Sequence, residues 1–355
     1  MLGIDPKAGR SAWTVFLLAL LIAAAYAVRQ TLAVFVIALL FAYLLLPLVG
    51  FIGRVTPRVV SPRVALAIVY LALVGAIVAL ALTLGSRLAE EANSLAMQLP
   101  ALITNPSWMQ KIPLPSWLEP ARAGMIEKIQ SQLSTGGQQM LPYLKGLGGS
   151  LVSGAKYALY LILIPILAFF FLKEGAIIRD ELVLALVEER RRPVVDNILE
   201  DINVLLGEYI RALVLLSLAS FTAQSIFLSV TGAPYAVLLA GLAALGEFIP
   251  VIGPAAGAVI IILVTGLSGY SHVLLYIVFW ALYRLFQDYM LSPYLMSKGV
   301  QLNPLLVLFG VLAGDQIAGV IGMFLSVPTL AILRVIFVRL RRARAVDLVA
   351  PRGEV

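Results

Sequence analysis

Residues 235–268 read YAVLLAGLAALGEFIPVIGPAAGAVIIILVTGLS, almost without a polar side chain. As one straight helix this stretch would be about 51 Å long, whereas the hydrocarbon core of a bilayer is only about 30 Å thick. It also carries its own break. Gly246-Glu247-Phe248-Ile249-Pro250-Val251-Ile252-Gly253-Pro254 puts two prolines and two glycines within nine residues, enough to stop a helix. The halves on either side are about 18 Å and 21 Å long, too short for either to cross alone. The spacing therefore predicts a re-entrant helical hairpin, or a deeply broken span, with a carboxylate at its tip.

The same situation recurs downstream. Residues 303–338 are again too long for one span and are interrupted at Gly314-Asp315-Gln316. The first interruption runs Gly246-Glu247-x-Ile249-x-Val251-Ile252-Gly253. The second runs Gly314-Asp315-x-Ile317-x-x-Val320-Ile321-Gly322, the same order with one inserted position. An internal repeat is the favoured reading. Broken segments in corresponding places point to a transport site near the membrane midplane.

Composition places both segments in lipid. Of the 355 residues, 61% are apolar and 13% charged, about half the charge of a soluble domain. Ten-residue alternating segments, the mark of a membrane barrel, are absent, so closed backbone hydrogen bonding requires helices. The expected architecture is an all-α polytopic membrane protein with about six full spans and two broken hairpins, or alternatively eight spans. Full spans are expected at 12–28, 31–52, 64–86, 151–172, 209–230 and 273–291. The first resembles a signal peptide but has no small-x-small cleavage site, so a retained span is expected.

The organisation follows from these spans. Residues 1–86 form a three-span region and 87–149 a small helical extracytoplasmic insertion, rich in proline and containing Trp108 and Trp117. The fourth span occupies 150–172, and 173–206 is a charged cytoplasmic segment with Ile198, Ile202, Leu205 and Leu206 at helical spacing. Residues 207–338 are the transport core, with its broken segments at 235–268 and 303–338, and 339–355 a basic tail. Arg54, Arg58 and Arg63 put the loop after the second span in the cytoplasm, and with it both termini. Lys298 is expected inside and position 270 outside.

Several function classes drop out. The chain has no cysteine and one histidine, His272, which removes thiol chemistry and multi-histidine metal clusters. The formal net charge of +7 sits beside apolar segments as orientation charge, with no aromatic-basic surface for nucleic acid. There is no phosphate-binding G-x-x-x-x-G-K-[ST] loop and no H-E-x-x-H. An intramembrane aspartyl protease pairing Asp288 with Asp315 lacks the glycine-x-glycine-aspartate pattern, since Leu312-Ala313-Gly314-Asp315 stands there. No enzyme and no cofactor or metal site is expected. A channel needs a continuous path, which broken repeats do not favour.

The candidate pathway residues are Glu247, Pro250, Gly253 and Pro254 in the first break, Asp315 and Gln316 in the second, and Gln287 between them. A charge at bilayer depth costs about 3 kcal/mol or more and needs a partner or a wet cavity. Capping of the following half-helix is the structural alternative for Glu247 and Asp315. Arg284 and Asp288, four apart on one helix face, read as a structural ion pair.

The residues also carry a resemblance. Phe169-Phe170-Phe171-Leu172-Lys173-Glu174-Gly175, Gly232-Ala233-Pro234-Tyr235-Ala236 and Glu247 through Pro254 resemble the autoinducer-2 exporter family. So do Pro293 with Lys298, Asn303-Pro304-Leu305, and Ala313-Gly314 through Met323 to Val327-Pro328. The matches run from about residue 163 to 336; the N-terminal half agrees in span layout alone. The chain departs from the family pattern at Arg211-Ala212, at Glu247 where aspartate is frequent, and at Asp315 where a neutral residue is usual. The resemblance implies an exporter of small polar solutes such as autoinducer-2, with a quorum-sensing role, in a bacterial inner membrane. It also implies a coupling ion, H+ or Na+, with Na+/H+ antiport as the alternative. A homo-oligomer is expected, with a pentamer as one arrangement.

Overall fold

Long apolar runs with few breakers fold as helices, and every regular element among the described residues is one. The computed structural model describes residues 6–55, 62–104, 155–295 and 302–349, together with residues 120 and 124. The helices are α1 (Pro6–Ala27), α2 (Arg29–Val55), α3 (Pro62–Thr104) and α4 (Ala155–Leu186). A 3-10 turn at Glu189–Arg191 leads into α5 (Arg192–Val230), followed by α6 (Ala236–Gly246) and α7 (Ile252–Leu267). Then come α8 (Val273–Phe286), a π-helical turn at Gln287–Leu291, α9 (Ser292–Leu295) and α10 (Pro304–Val349). Much of the molecular surface is apolar: Leu71, Leu82, Ile162, Leu282 and Phe309 are each more than half exposed. Water does not tolerate a continuous surface of that kind, and lipid does.

The expected break in 235–268 is present. α6 ends at Gly246 and α7 starts at Ile252, joined by a turn in which the Ile252 amide bonds the Pro250 carbonyl at 2.7 Å. Val251 at its centre has φ +67, a conformation that costs a β-branched residue strain. The two helices then fold back on each other. A Cβ built on Gly253 would lie 1.7 Å from the Gly246 carbonyl oxygen, and one on Gly257 would lie 2.9 Å from Ala243 Cα. Such pairs, moving apart in sequence on both sides of the turn, define an antiparallel helical hairpin. Only glycine permits the approach at its tip.

α10 is also a hairpin, two helical arms joined across a break in the backbone. Ala318 (φ −142) and Gly319 (φ 59, ψ −140) are non-helical. A Cβ on Gly322 would lie 2.0 Å from the Gly314 carbonyl oxygen, and one on Gly310 lies 3.6 Å from Ser326 Cβ. The reversal thus sits at Ala318-Gly319, not at Gly314-Asp315-Gln316. The expectation took the acid for the breaker, whereas Gly319, with its left-handed φ, makes the turn and Gly314 meets Gly322 beneath it. By length and composition three helical stretches suit a membrane crossing, Arg29–Leu46, Glu189–Val230 and Pro304–Arg342; the reversal splits the third into two arms.

The two hairpins touch. Phe248, at the tip of the first, stands edge-on to Phe324 of the second, with ring centroids 5.7 Å apart. Both belong to a cluster built on Leu40 of α2, Tyr209, Ile210 and Leu213 of α5, and Val327 of α10. A second cluster packs α3 residues Ala92, Leu95 and Ala96 against Leu238, Leu239, Ala243 and Ile261 of the first hairpin. Beside it, Glu91 Oε2 accepts a 2.8 Å hydrogen bond from the Leu238 amide, capping the otherwise open N-terminus of α6 from 147 residues away.

Four expected boundaries fall inside helices. α3 passes residue 86 without interruption, α4 passes 172, and α5 runs through 206–207 from the charged segment into the apolar one. α10 likewise passes 338 into the basic tail. Charge marks where a chain leaves lipid, but Ala, Glu, Leu and Arg keep a helix going in water. Trp108, Trp117, Lys298 and most of the 87–149 insertion lie outside the described residues.

Candidate functional site

Glu247 is the first residue after α6, held at the hairpin tip, and its side chain is only 8% exposed. Its Oε2 accepts a hydrogen bond from Gln287 Nε2 at 2.8 Å and lies 3.6 Å from Arg284 Nη1. Gln287 is itself buried, 2% exposed, and opens the π-helical turn at the end of α8. A π turn inserts one residue into a helix and re-aims the side chains around it. Here it delivers Gln287 to the carboxylate.

Arg284 serves two acids. Its Nε donates to Asp288 Oδ2 at 2.9 Å, while Nη1 faces Glu247. The expected Arg284–Asp288 pair is present, but it is part of the Glu247 cluster and not a separate brace. With both acids ionised, one guanidinium compensates one of them, and the cluster keeps an unbalanced negative charge next to apolar helices. That charge is what a proton or a cation would neutralise.

Polar groups of α5 complete the surroundings. Ser220 is fully buried on α5. Gln224 Nε2 donates to Ser220 Oγ at 2.9 Å, and Tyr276 Oη donates to Gln224 Oε1 at 2.8 Å. Ser217 Oγ donates to the Ala244 carbonyl at 2.8 Å and ties α5 to the end of α6. Among the described residues, Tyr283 Oη, Arg284 Nη1 and Gln287 Oε1 are buried without a hydrogen-bond partner. Two of these residues, Arg284 and Gln287, contact Glu247, and buried polar atoms are costly to leave unpaired.

Of the residues singled out in the sequence, the fold brings together Glu247, Gln287, Arg284 and Asp288. Pro250 sits in the turn, and Gly253 and Pro254 are buried in the first turn of α7. Asp315 and Gln316 are exposed on the first arm of the second hairpin. Sequence reasoning passed over Ser217, Ser220 and Gln224, and Tyr276 and Tyr283. A signal existed: 217, 220 and 224, and 276, 283 and 287, are polar stripes at helical spacing on otherwise apolar helices. A cavity of about 620 Å³ between α2, α4 and α5 is elsewhere. Its walls are mainly apolar, including Leu39, Leu46, Leu182 and Ile202.

The profile of the AI-2E family transporters matches residues 15–342. The chain is 29% identical over 188 residues to YrrI of Bacillus subtilis (strain 168), covering 53% of each protein. It is 25% identical over 325 residues to YueF of the same strain, covering 89% of this chain and 88% of YueF. It is 33% identical over 124 residues to MT0215 of Mycobacterium tuberculosis (strain CDC 1551 / Oshkosh), covering 35% of this chain and 34% of that protein. All three are described as candidate transport proteins. The chain thus spans about half of YrrI and a third of MT0215, and most of YueF.

Proposed function

Because the chain belongs to the AI-2E family of transporters, we propose that it is a secondary transporter that moves a small polar solute, of the autoinducer-2 kind, out of the cell. Its place is the inner membrane of a bacterium, with both termini cytoplasmic, and it works as a homo-oligomer, a pentamer being one arrangement, without a cofactor. The two hairpins are re-entrant and open on opposite faces, with the run 273–291 crossing between them and six full spans in all. Glu247 carries the reading: a carboxylate 8% exposed, sharing one arginine with Asp288, between two half-helices too short to span. An unbalanced negative charge there supports coupling to H+ or Na+, and the same observation supports Na+/H+ antiport as the second reading.

Transport into proteoliposomes separates these, using a panel that includes autoinducer-2, with a pH gradient, a sodium gradient and neither. Gradient-driven movement of a solute supports export. Proton release on sodium addition without solute supports antiport, and equal passive flux in every condition contradicts both.

Topology is testable independently. The chain has no cysteine, so single cysteines at 270 and 298 can be labelled with a membrane-impermeant reagent. Labelling of 270 and protection of 298 in intact cells is the expected result. Labelling of 298 but not 270 would replace the two re-entrant hairpins with eight full crossings.

A further inference from the structure

We infer that Asp288 is a positioning residue for Glu247: it holds the Arg284 guanidinium short of the hairpin-tip carboxylate and so keeps that carboxylate open to an occupant. The inference rests on the reading of Glu247 as an ionisable pathway group. On charge alone, an arginine between two acids closes on the buried one, where little water screens the attraction. The geometry is the reverse. Arg284 Nε donates to Asp288 Oδ2 at 2.9 Å, whereas Nη1 stops 3.6 Å from Glu247 Oε2, beyond hydrogen-bond length. Nη1 is also buried without a hydrogen-bond partner, so a charged donor beside the carboxylate is left unused.

The local backbone explains how. Arg284 stands in the last turn of α8, and Gln287 and Asp288 open the π turn that follows. Successive residues of a helix do not share a face, and here one goes in and the next goes out. Gln287 is buried and gives its Nε2 to Glu247 Oε2, while the Asp288 side chain is 46% exposed. Arg284, 29% exposed, lies between them. A guanidinium is a rigid planar fork. With Nε fixed on Asp288, Nη1 advances on Glu247 only if the side chain swings and breaks that bond.

A closed Arg284–Glu247 pair would shut the site. A buried carboxylate bonded by a guanidinium is already compensated, and separating such a pair is costly. Nothing would then remain for a proton, a cation or a polar solute to neutralise. Asp288 prevents the closure from outside the pocket. Its bond to Arg284 is half-exposed and therefore weak, so the restraint is one that a transport cycle can break and remake.

The test reads Arg284 directly and needs no knowledge of the solute. The purified full-length protein in lipid nanodiscs is treated with phenylglyoxal, a dicarbonyl that adds to guanidinium nitrogens, and modification of Arg284 is followed by mass spectrometry. If Asp288 only covers the arginine, D288N frees it and the reaction speeds up. If Asp288 holds it off Glu247, D288N lets it settle on the buried carboxylate, and the reaction is expected to slow by about fivefold. Unfolding exposes the arginine and has the opposite sign. D288S is a second neutral variant, thermal unfolding checks the fold of each, and D288E, which retains the carboxylate, is expected to follow the parent. With Glu247 neutralised the pull is gone, so D288N in an E247Q background is expected to react about threefold faster than E247Q alone. Flux through D288N in proteoliposomes is expected to fall about tenfold, and through D288E to stay parental.

A folded D288N whose Arg284 reacts at or above the parental rate overturns the inference. So does a slowing that persists in the E247Q background, or parental flux through D288N beside a flux-dead E247Q. The reading beneath it fails separately, if E247Q itself carries parental flux. A faster-reacting Arg284 in D288N alongside a flux-dead E247Q disposes of the Asp288 role alone.

Discussion

Gly253→Ala is expected to leave little folded protein, lowering stability by about 3 kcal/mol or more. The added Cβ would lie 1.7 Å from the Gly246 carbonyl oxygen, less than half of an ordinary carbon contact of about 3.5 Å. The obstacle is backbone, so no side-chain rotation relieves it, and the two arms must part at the tip that carries Glu247. Gly322→Ala should act alike in the second hairpin, where the Cβ would lie 2.0 Å from the Gly314 carbonyl oxygen. Gly75→Ala is the control: nothing lies within 4 Å, and replacing a helical glycine gains about 1 kcal/mol. The check is the monodisperse fraction and thermal unfolding of each variant in nanodiscs. If Gly253→Ala unfolds at the temperature of the Gly75→Ala control, the arms do not meet as described.

Glu247→Gln should do the reverse, sparing the fold and removing the activity. Glutamine keeps the volume and still accepts from Gln287 Nε2, and any capping role survives. What it removes is the charge that Arg284 shares between two acids. Arg284 is then balanced by Asp288 alone, and the cluster has nothing left for a proton or cation to neutralise. A fall in transport of at least about tenfold is expected at unchanged stability, the mark of a lost functional interaction and not of lost packing. Pro250→Ala is expected to differ, lowering both assembly and activity, because it lets the break close toward a continuous helix.

The parts legible in the sequence are those written in breakers and repeats. The glycine-acid-isoleucine-valine-isoleucine-glycine pattern marked both hairpins. The structure gives it a physical meaning that spacing alone could not, because Gly246 meets Gly253 and Gly314 meets Gly322 across each pair of arms. The turn of the second hairpin was misread by a few residues because an acid between apolar runs looks like a break, while Ala318-Gly319 looks like helix. The segment boundaries at 86 and 172 lie inside helices, since Arg87 and Lys173-Glu174 record a change of solvent and helices cross that change freely. The α5 stripe of Ser217, Ser220 and Gln224 went unread because each polar residue taken singly is unremarkable in a membrane helix. Their shared face matters only once α6 and α8 are known to pack there. Gln287 was placed on the pathway by its position, but its approach to Glu247 depends on the π turn, which has no plain sequence signature.

The central claim is that the carboxylate at the first hairpin tip is the working group of the transporter. Its most direct test is solute flux in proteoliposomes for the parent and Glu247→Gln, normalised to folded protein and measured across pH with and without a sodium gradient. The account predicts gradient-dependent flux for the parent, and for Glu247→Gln a flux at least about tenfold lower that no longer varies with pH. A Glu247→Gln protein that transports at the parental rate with the parental pH dependence would contradict it, leaving Glu247 as a brace for the hairpin.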